Sequence, residues 1–101
     1  MDHFTYRNRE LFAEEISISE IAKHVPTPFY CYSTATLTRH FNVFSEGFKN
    51  NDVLICFALK ANSNIAVLNT LANLGAGGDC VSGGEIKRCL KSGISLSLIH
   101  I

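Results

Sequence analysis

Val53-Leu54-Ile55-Cys56-Phe57-Ala58-Leu59-Lys60-Ala61-Asn62-Ser63-Asn64 decides the fold. Its first seven residues are an unbroken apolar run of strand length. A half-exposed antiparallel strand alternates apolar and polar; an unbroken run suits a parallel strand covered on both faces. Alternation along the strand puts Leu54, Cys56, Ala58 and Lys60 on one face and Val53, Ile55, Phe57 and Leu59 on the other. The bulkier set suits packing against helices. A helix is predicted from about Asn64, with Val67, Leu68, Leu71 and Leu74 on one side and Gly75 as its terminator.

The same alternation continues outward. Gly78 to Ser82 is a short strand candidate, and Gly83 to Ser92 a helix with Ile86, Cys89 and Leu90 apolar, ended by Gly93. Upstream, Phe29 to Tyr32 is a short β-type run. Ser33 or Thr34 can cap a helix in which Leu37, Phe41, Phe44 and Phe48 form one apolar stripe, read as core. Strand–helix three times predicts parallel βα units, an α/β chain. Three units leave open sheet edges and half a core, so residues 28–101 are expected to open a larger α/β protein. Gly93 to Ile101 reads as a fourth strand or as a foreign end after about residue 94.

Residues 1–27 differ in character. Phe4 and Tyr6, then Leu11 and Phe12, flank a polar turn from Arg7 to Glu10, which predicts a small hairpin or extended piece. Ser17 with Glu20 resembles a capping box, and Ile18, Ile21, Ala22 and Val25 give a short helix stopped by Pro26 and Pro28.

Composition closes several routes. The chain has 101 residues, 47% of them apolar, with nine Lys+Arg balancing nine Asp+Glu. That is too apolar for a disordered tail, and a nucleic-acid binder would carry a basic surplus. No apolar run reaches the roughly 18 residues of a membrane span, and residues 1–3 do not begin a signal peptide. Cys31, Cys56, Cys80 and Cys89 and the four histidines lack metal-ligand spacing. The cysteines read as small buried hydrophobes in a reducing cytoplasm. Gly75-Ala76-Gly77-Gly78 precedes a strand and has Cys80 where a dinucleotide loop needs its third glycine, so that reading fails.

One stretch is chemically loud. Lys60 ends an apolar strand, where reactive side chains sit in βα barrels. Partial desolvation there would free its amine as a nucleophile toward a carbonyl. A lysine that snorkels out of a strand end is the ordinary alternative. Asp79 falls near the same end of the next strand, about 4.8 Å away, where a carboxylate can hold the lysine in place; a simple strand-end acid is its alternative. Glu85 lies in the first turn of the third helix, where the dipole favours a negative charge regardless of chemistry.

Phe57 to Asn64 and Gly77-Gly78-Asp79-Cys80-Val81-Ser82-Gly83-Gly84-Glu85 together resemble the diaminopimelate decarboxylase family of fold-type III pyridoxal-phosphate enzymes, which have an alanine-racemase-like barrel. Phe4-Thr5-Tyr6-Arg7-Asn8, Glu10 to Glu14 and Thr27-Pro28-Phe29-Tyr30-Cys31-Tyr32-Ser33 resemble that family's N-terminus, so the likeness runs over about residues 3–94. The resemblance implies a partial (β/α)8 TIM barrel, its first three βα units preceded by a 1–27 segment that joins a C-terminal β domain. It implies pyridoxal 5'-phosphate as cofactor, bound through Lys60 with Asp79 beside it, and Asp79 and Glu85 as supporting catalytic acids. It implies decarboxylation of meso-diaminopimelate to L-lysine by a cytoplasmic homodimer with sites at the subunit interface.

There are departures. Arg9 stands where the family's turn carries glycine. The phosphate-binding glycine loop, the acid for the pyridine nitrogen, the ring-stacking histidine, the substrate-carboxylate arginines and the partner-subunit cysteine are missing, so the stretch alone is expected to be inactive. Ornithine, arginine or carboxynorspermidine decarboxylation and alanine racemisation share the core motif. A non-catalytic α/β module binding a partner through its open sheet edge is the reading from another class.

Overall fold

A computed structural model describes residues 2–101. It divides into two units, one up to Thr36 and one from Leu37 to Ile101. In the first unit, β1 (Phe4–Arg7) and β2 (Glu10–Ala13) form an antiparallel hairpin with Phe4 opposite Ala13 and Arg7 opposite Glu10. The two loop residues, Asn8 and Arg9, have φ of +49° and +67°. Left-handed backbone at both positions is the turn whose twist matches a hairpin. Arg9 therefore bears the strain that a glycine would not.

The sequence reading missed a third strand. Glu14 turns the chain with φ +56°, and β3 (Ile16–Ser17) returns along β2. Ser17 then caps α1 (Ile18–His24), its Oγ accepting the Glu20 N–H at 3.1 Å. The serine half of the expected box is thus in place. Glu14 also acts through its side chain. Its Oε1 accepts the Ala35 N–H at 2.8 Å and the Ser33 hydroxyl at 3.2 Å. Ser33 Oγ accepts the Thr36 N–H, so two side chains cap α2 (Thr34–Glu46).

Phe29 to Tyr32 is not a strand. A strand exists only by pairing, and among the described residues no strand lies alongside this segment. Tyr30 and Tyr32 instead stack in the open, centroids 6.4 Å apart.

In the second unit, β4 (Cys56–Ala58), β5 (Gly77–Asp79) and β6 (Ile99–His100) form a parallel sheet in the order β4-β5-β6. The Val53–Leu59 run is strand only in its middle, although Ile55 O and Leu59 N add one ladder bond at each end. Val53 and Leu54 stay half-exposed. The Gly78–Ser82 candidate shifts back to start at Gly77, because Val81 and Ser82 leave the ladder to enter the next helix. Gly93 to Ile101 resolves into a 3-10 turn (Leu96–Leu98) and β6, so the fourth-strand alternative holds.

Helices α3 (Ile65–Asn73) and α4 (Gly83–Ser92) cover one face of this sheet. Each starts on a side-chain cap, Asn64 or Ser82. Each ends on a left-handed glycine, Gly75 (φ +96°) or Gly93 (φ +99°). In both, the residue after the glycine donates back to the residue five earlier: Ala76 to Leu71 O and Ile94 to Cys89 O, each at 3.1 Å. That bond satisfies carbonyls the helix end leaves open.

Two apolar clusters result. Leu59, Leu68, Cys80, Cys89 and Ile94 form one; Val67, Leu71 and Ala76 form the other, with Leu37 and Phe41 of α2 against it. Phe57 packs on both, which is what its predicted face requires. A fully buried Leu68 alone is worth about 1.5–3 kcal/mol. The phenylalanine stripe is only half core. Phe44 and Phe48 remain exposed and pack edge-to-face on each other, centroids 5.2 Å apart. The physical reason is reach: the cluster under α2 spans the helix's first two turns and does not extend to its last.

Candidate active site

The carboxyl ends of the parallel strands form one rim. Ladder register pairs Ala58 with Asp79 and Asp79 with His100. One step below, Phe57, Gly78 and Ile99 are paired and turn toward the helices: Phe57 and Ile99 pack on the core, and a β carbon on Gly78 would run into Cys89 Sγ. Alternation then puts Cys56, Ala58, Gly77, Asp79 and His100 on the opposite face. A β carbon on Gly77 would lie 2.8 Å from Cys56 Sγ and 2.5 Å from Leu98 O, so glycine is required there for close strand packing.

Lys60 is not on the strand. Leu59 donates to Asp79 O at 3.1 Å and buries its side chain; the chain then turns, Ala61 N–H donating to Ala58 O at 3.1 Å. Lys60 lies inside that turn and is exposed, which corrects the partly desolvated lysine expected from an uninterrupted strand. Among the described residues its ammonium has no hydrogen bond and no ion pair.

The loop that follows is built from its own side chains. Asn62 Oδ1 accepts the Asn64 N–H at 3.0 Å, and Asn64 Oδ1 accepts from Ala66 and Val67 at 2.9 and 3.3 Å, opening α3. From α4, Arg88 Nη1 donates to Ser63 O at 3.3 Å.

Asp79 is half-buried at the end of β5. Burial, and secondly the Asp79 carboxylate, hold the Cys56 thiol above its ordinary value. That coupling agrees with the shared face. Glu85 is engaged elsewhere: its Oε2 accepts the Val81 N–H at 2.7 Å while its own N–H goes to Ser82 Oγ at 3.2 Å. The helix-entrance role is the one its contacts display. On the helical side, Ile65, Gly84, Lys87, Arg88 and Lys91 line an open depression of about 450 Å³. Neither Lys60 nor Asp79 takes part in it.

The chain matches the family model "Pyridoxal-dependent decarboxylase, pyridoxal binding domain" over residues 34–101. This chain belongs to the pyridoxal-dependent decarboxylase family. The match runs through Ser95 to Ile101, so of the two readings of that tail the foreign end is set aside. The diaminopimelate decarboxylase of Pseudomonas fluorescens is 50% identical over 99 residues, covering 98% of this chain and 24% of that protein. The crystal structure of diaminopimelate decarboxylase from Helicobacter pylori complexed with L-lysine superposes with a TM-score of 0.75 at 47% identity, over 80% of this chain and 21% of that one. The M. jannaschii enzyme in co-complex with L-lysine gives 0.89 at 30% identity, over 97% and 24%. The chain thus spans about a quarter of the length of the relatives it matches. Its α/β architecture is that of the N-terminal region of these decarboxylases.

Sequence reasoning missed two features of this decarboxylase domain. His100, in register with Asp79, is hidden because the alternation of Ile94 to Leu98 slips phase at Ile99, and the most regular part of it folds as a 3-10 turn, not as strand. Arg88 reads as one more exposed helix cation, and no local signal ties it to Ser63. Among the described residues no group of three or more His, Cys, Asp or Glu side chains can hold a metal ion, and no helix is long and apolar enough to cross a membrane.

Proposed function

We propose that Lys60 holds pyridoxal 5'-phosphate and that the polypeptide carrying this sequence decarboxylates meso-diaminopimelate to L-lysine. The observation that carries the reading is a lysine in the turn after β4 with a carboxylate, Asp79, at the carboxyl end of the adjoining parallel strand. Reactive groups gather at that end of βα sheets. The substrate assignment is supported by the names of the relatives, among them the P. fluorescens enzyme at 50% identity.

The residues present fit the cofactor. An aldehyde needs an accessible primary amine, and Lys60 is exposed and free of ion pairs among the described residues. A flat ring needs a low floor, and Cys56, Ala58 and Gly77 are the small residues of the face below the rim. When bound, pyridoxal phosphate supplies an electron sink for the pair left behind as the substrate's carboxylate departs as carbon dioxide. Lys60 would hold the cofactor's aldehyde through its amine. Asp79 supplies a negative charge at the rim, which favours a protonated nitrogen there. Glu85 is the second supporting acid, and through its cap it fixes the Val81-Ser82 segment that leaves the rim. The three-stranded sheet is the opening of an eight-stranded barrel, residues 1–27 join a C-terminal β domain, and the active form is a homodimer. Four unpaired cysteines suit a cytoplasmic setting.

The test is reductive trapping. Borohydride treatment of the gene product loaded with pyridoxal phosphate, followed by peptide mapping, labels Lys60. Labelling of another lysine refutes the assignment. Carbon dioxide release across diaminopimelate, ornithine, arginine and lysine then tests the substrate, and a preference for any of the last three overturns it.

A further inference from the structure

We propose that Arg88 is a positioning residue for Lys60, clamping the turn that carries it from the neighbouring βα unit. The inference rests on the proposed role of Lys60. Lys60 sits in a loop that runs from Leu59, buried in the core, to Asn64, the cap of α3. The bonds inside this loop are local. Ala61 bonds back to Ala58, and Asn62 bonds forward to Asn64. They set its shape but do not hold it against the rest of the domain. Arg88 does, through its bond from Nη1 to Ser63 O.

Three features make Arg88 suited to that work. It stands on α4, which is fixed at both ends, by Ser82 and Glu85 at the start and by Gly93 at the finish. Cys89, the next residue, is fully buried, so the helix cannot roll without tearing the core. And Arg88 stays clear of acids: among the described residues no ion pair competes for its guanidinium, unlike the Arg7–Glu15 or Lys49–Glu46 pairs. A guanidinium presents several donors in a fixed plane, so it holds a carbonyl with less loss of freedom than a lysine would. Lys87 and Lys91 share the same depression, yet neither makes a bond to the loop.

The arrangement also connects Glu85 to the loop that carries Lys60. Glu85 anchors the start of α4 three residues before Arg88, and Arg88 reaches the loop three residues after Lys60. A shift of α4 is therefore passed to the turn that presents the amine. Misplacement of a reacting group by about 1 Å is costly even when no contact with substrate is touched.

The experiment compares Arg88→Ala, Arg88→Lys and Lys87→Ala with the unaltered gene product. Amide hydrogen exchange without cofactor is read first. Arg88→Ala speeds exchange at Ala61 to Asn64 by about threefold or more, Arg88→Lys restores part of the protection, and Lys87→Ala leaves it unchanged. Affinity for pyridoxal phosphate, followed by trapping at Lys60, falls about three- to tenfold in Arg88→Ala with the melting temperature nearly unchanged. Unchanged exchange at residues 61–64, or unchanged trapping at Lys60, overturns the clamp. If the unaltered protein traps the cofactor at another lysine, the underlying assignment falls and the clamp falls with it; loosened exchange in Arg88→Ala would then mark a purely structural bond. Arg88→Gln carries the same comparison should the alanine variant not fold.

Discussion

Gly78 and Cys89 are in contact across the sheet–helix interface, with no room between them for a single added carbon. A β carbon on Gly78 would overlap Cys89 Sγ and stand 3.4 Å from Leu59 Cδ1. Gly78→Ala is expected to destabilise the domain by about 1–3 kcal/mol through overpacking. Adding Cys89→Ala removes the clashing sulfur and recovers a substantial part of the loss. Urea midpoints of the two single variants and the double variant measure the coupling; strict additivity would show that the contact does not matter.

Cys89 also sets an alkaline limit. Burial first, and then its hydrogen bond with Cys80 (Sγ–Sγ 3.6 Å), push the Cys89 thiol up to about 12 from an ordinary 9.0. The folded chain keeps a proton that the unfolded chain releases near pH 9. Stability from this group is thus complete below about pH 9 and is lost as pH rises from there toward 12, with a slope of at most about 1.4 kcal/mol per pH unit. Urea midpoints between pH 8 and 11 follow this decline, and Cys89→Ala flattens it. An equally steep decline in that variant would refute the cause.

Arg9 offers the reverse case, a substitution that should help. With φ of +67° in a two-residue hairpin loop, it holds a conformation glycine adopts freely. Arg9→Gly is expected to stabilise the chain by about 0.5–1 kcal/mol, read as a rise in the thermal midpoint. A fall would mean that the arginine makes a compensating contact.

Glu85 can be divided by chemistry. Glu85→Gln keeps an acceptor for the Val81 N–H, whereas Glu85→Ala removes it. Loss of the cap is expected to cost about 0.5–2 kcal/mol in the alanine variant and little in the glutamine one. If Glu85→Gln nonetheless loses turnover at full stability, the charge serves the reaction. If it retains turnover, the carboxylate is a cap and nothing more.

Lys60→Ala should separate chemistry from folding most cleanly. The side chain is exposed, so melting is expected to shift by no more than about 0.5 kcal/mol equivalent while trapping of pyridoxal phosphate disappears. Trapping at the wild-type level would end the assignment.

The legible parts of this fold are those fixed by neighbours in sequence. Asn64 and Gly75 bound α3, and Gly93 ends α4, because helix termini depend on residues three to five apart; Ser82, read as the end of a strand, is instead the cap of α4. The hairpin is readable from its apolar flanks. Phe29 to Tyr32 misleads because β propensity does not supply a partner. Phe44 and Phe48 mislead because a stripe says which side a helix would bury, not how far the cluster beneath it extends. Lys60 stands out through the apolar run before it. Its exposure, and the reach of Arg88 from 25 residues away, depend on how α4 packs, which no local pattern encodes.

Glu14 shows what such packing asks of one position. Its backbone sits at φ +56°, which glycine would tolerate better, while its carboxylate serves Ser33 and Ala35, which glycine cannot do. Relief of one demand forfeits the other. Position 14 is therefore a compromise with few solutions, chiefly acids or amides of similar length, and a library of variants there should return a narrow set of survivors although the residue lies outside the rim where the chemistry is proposed.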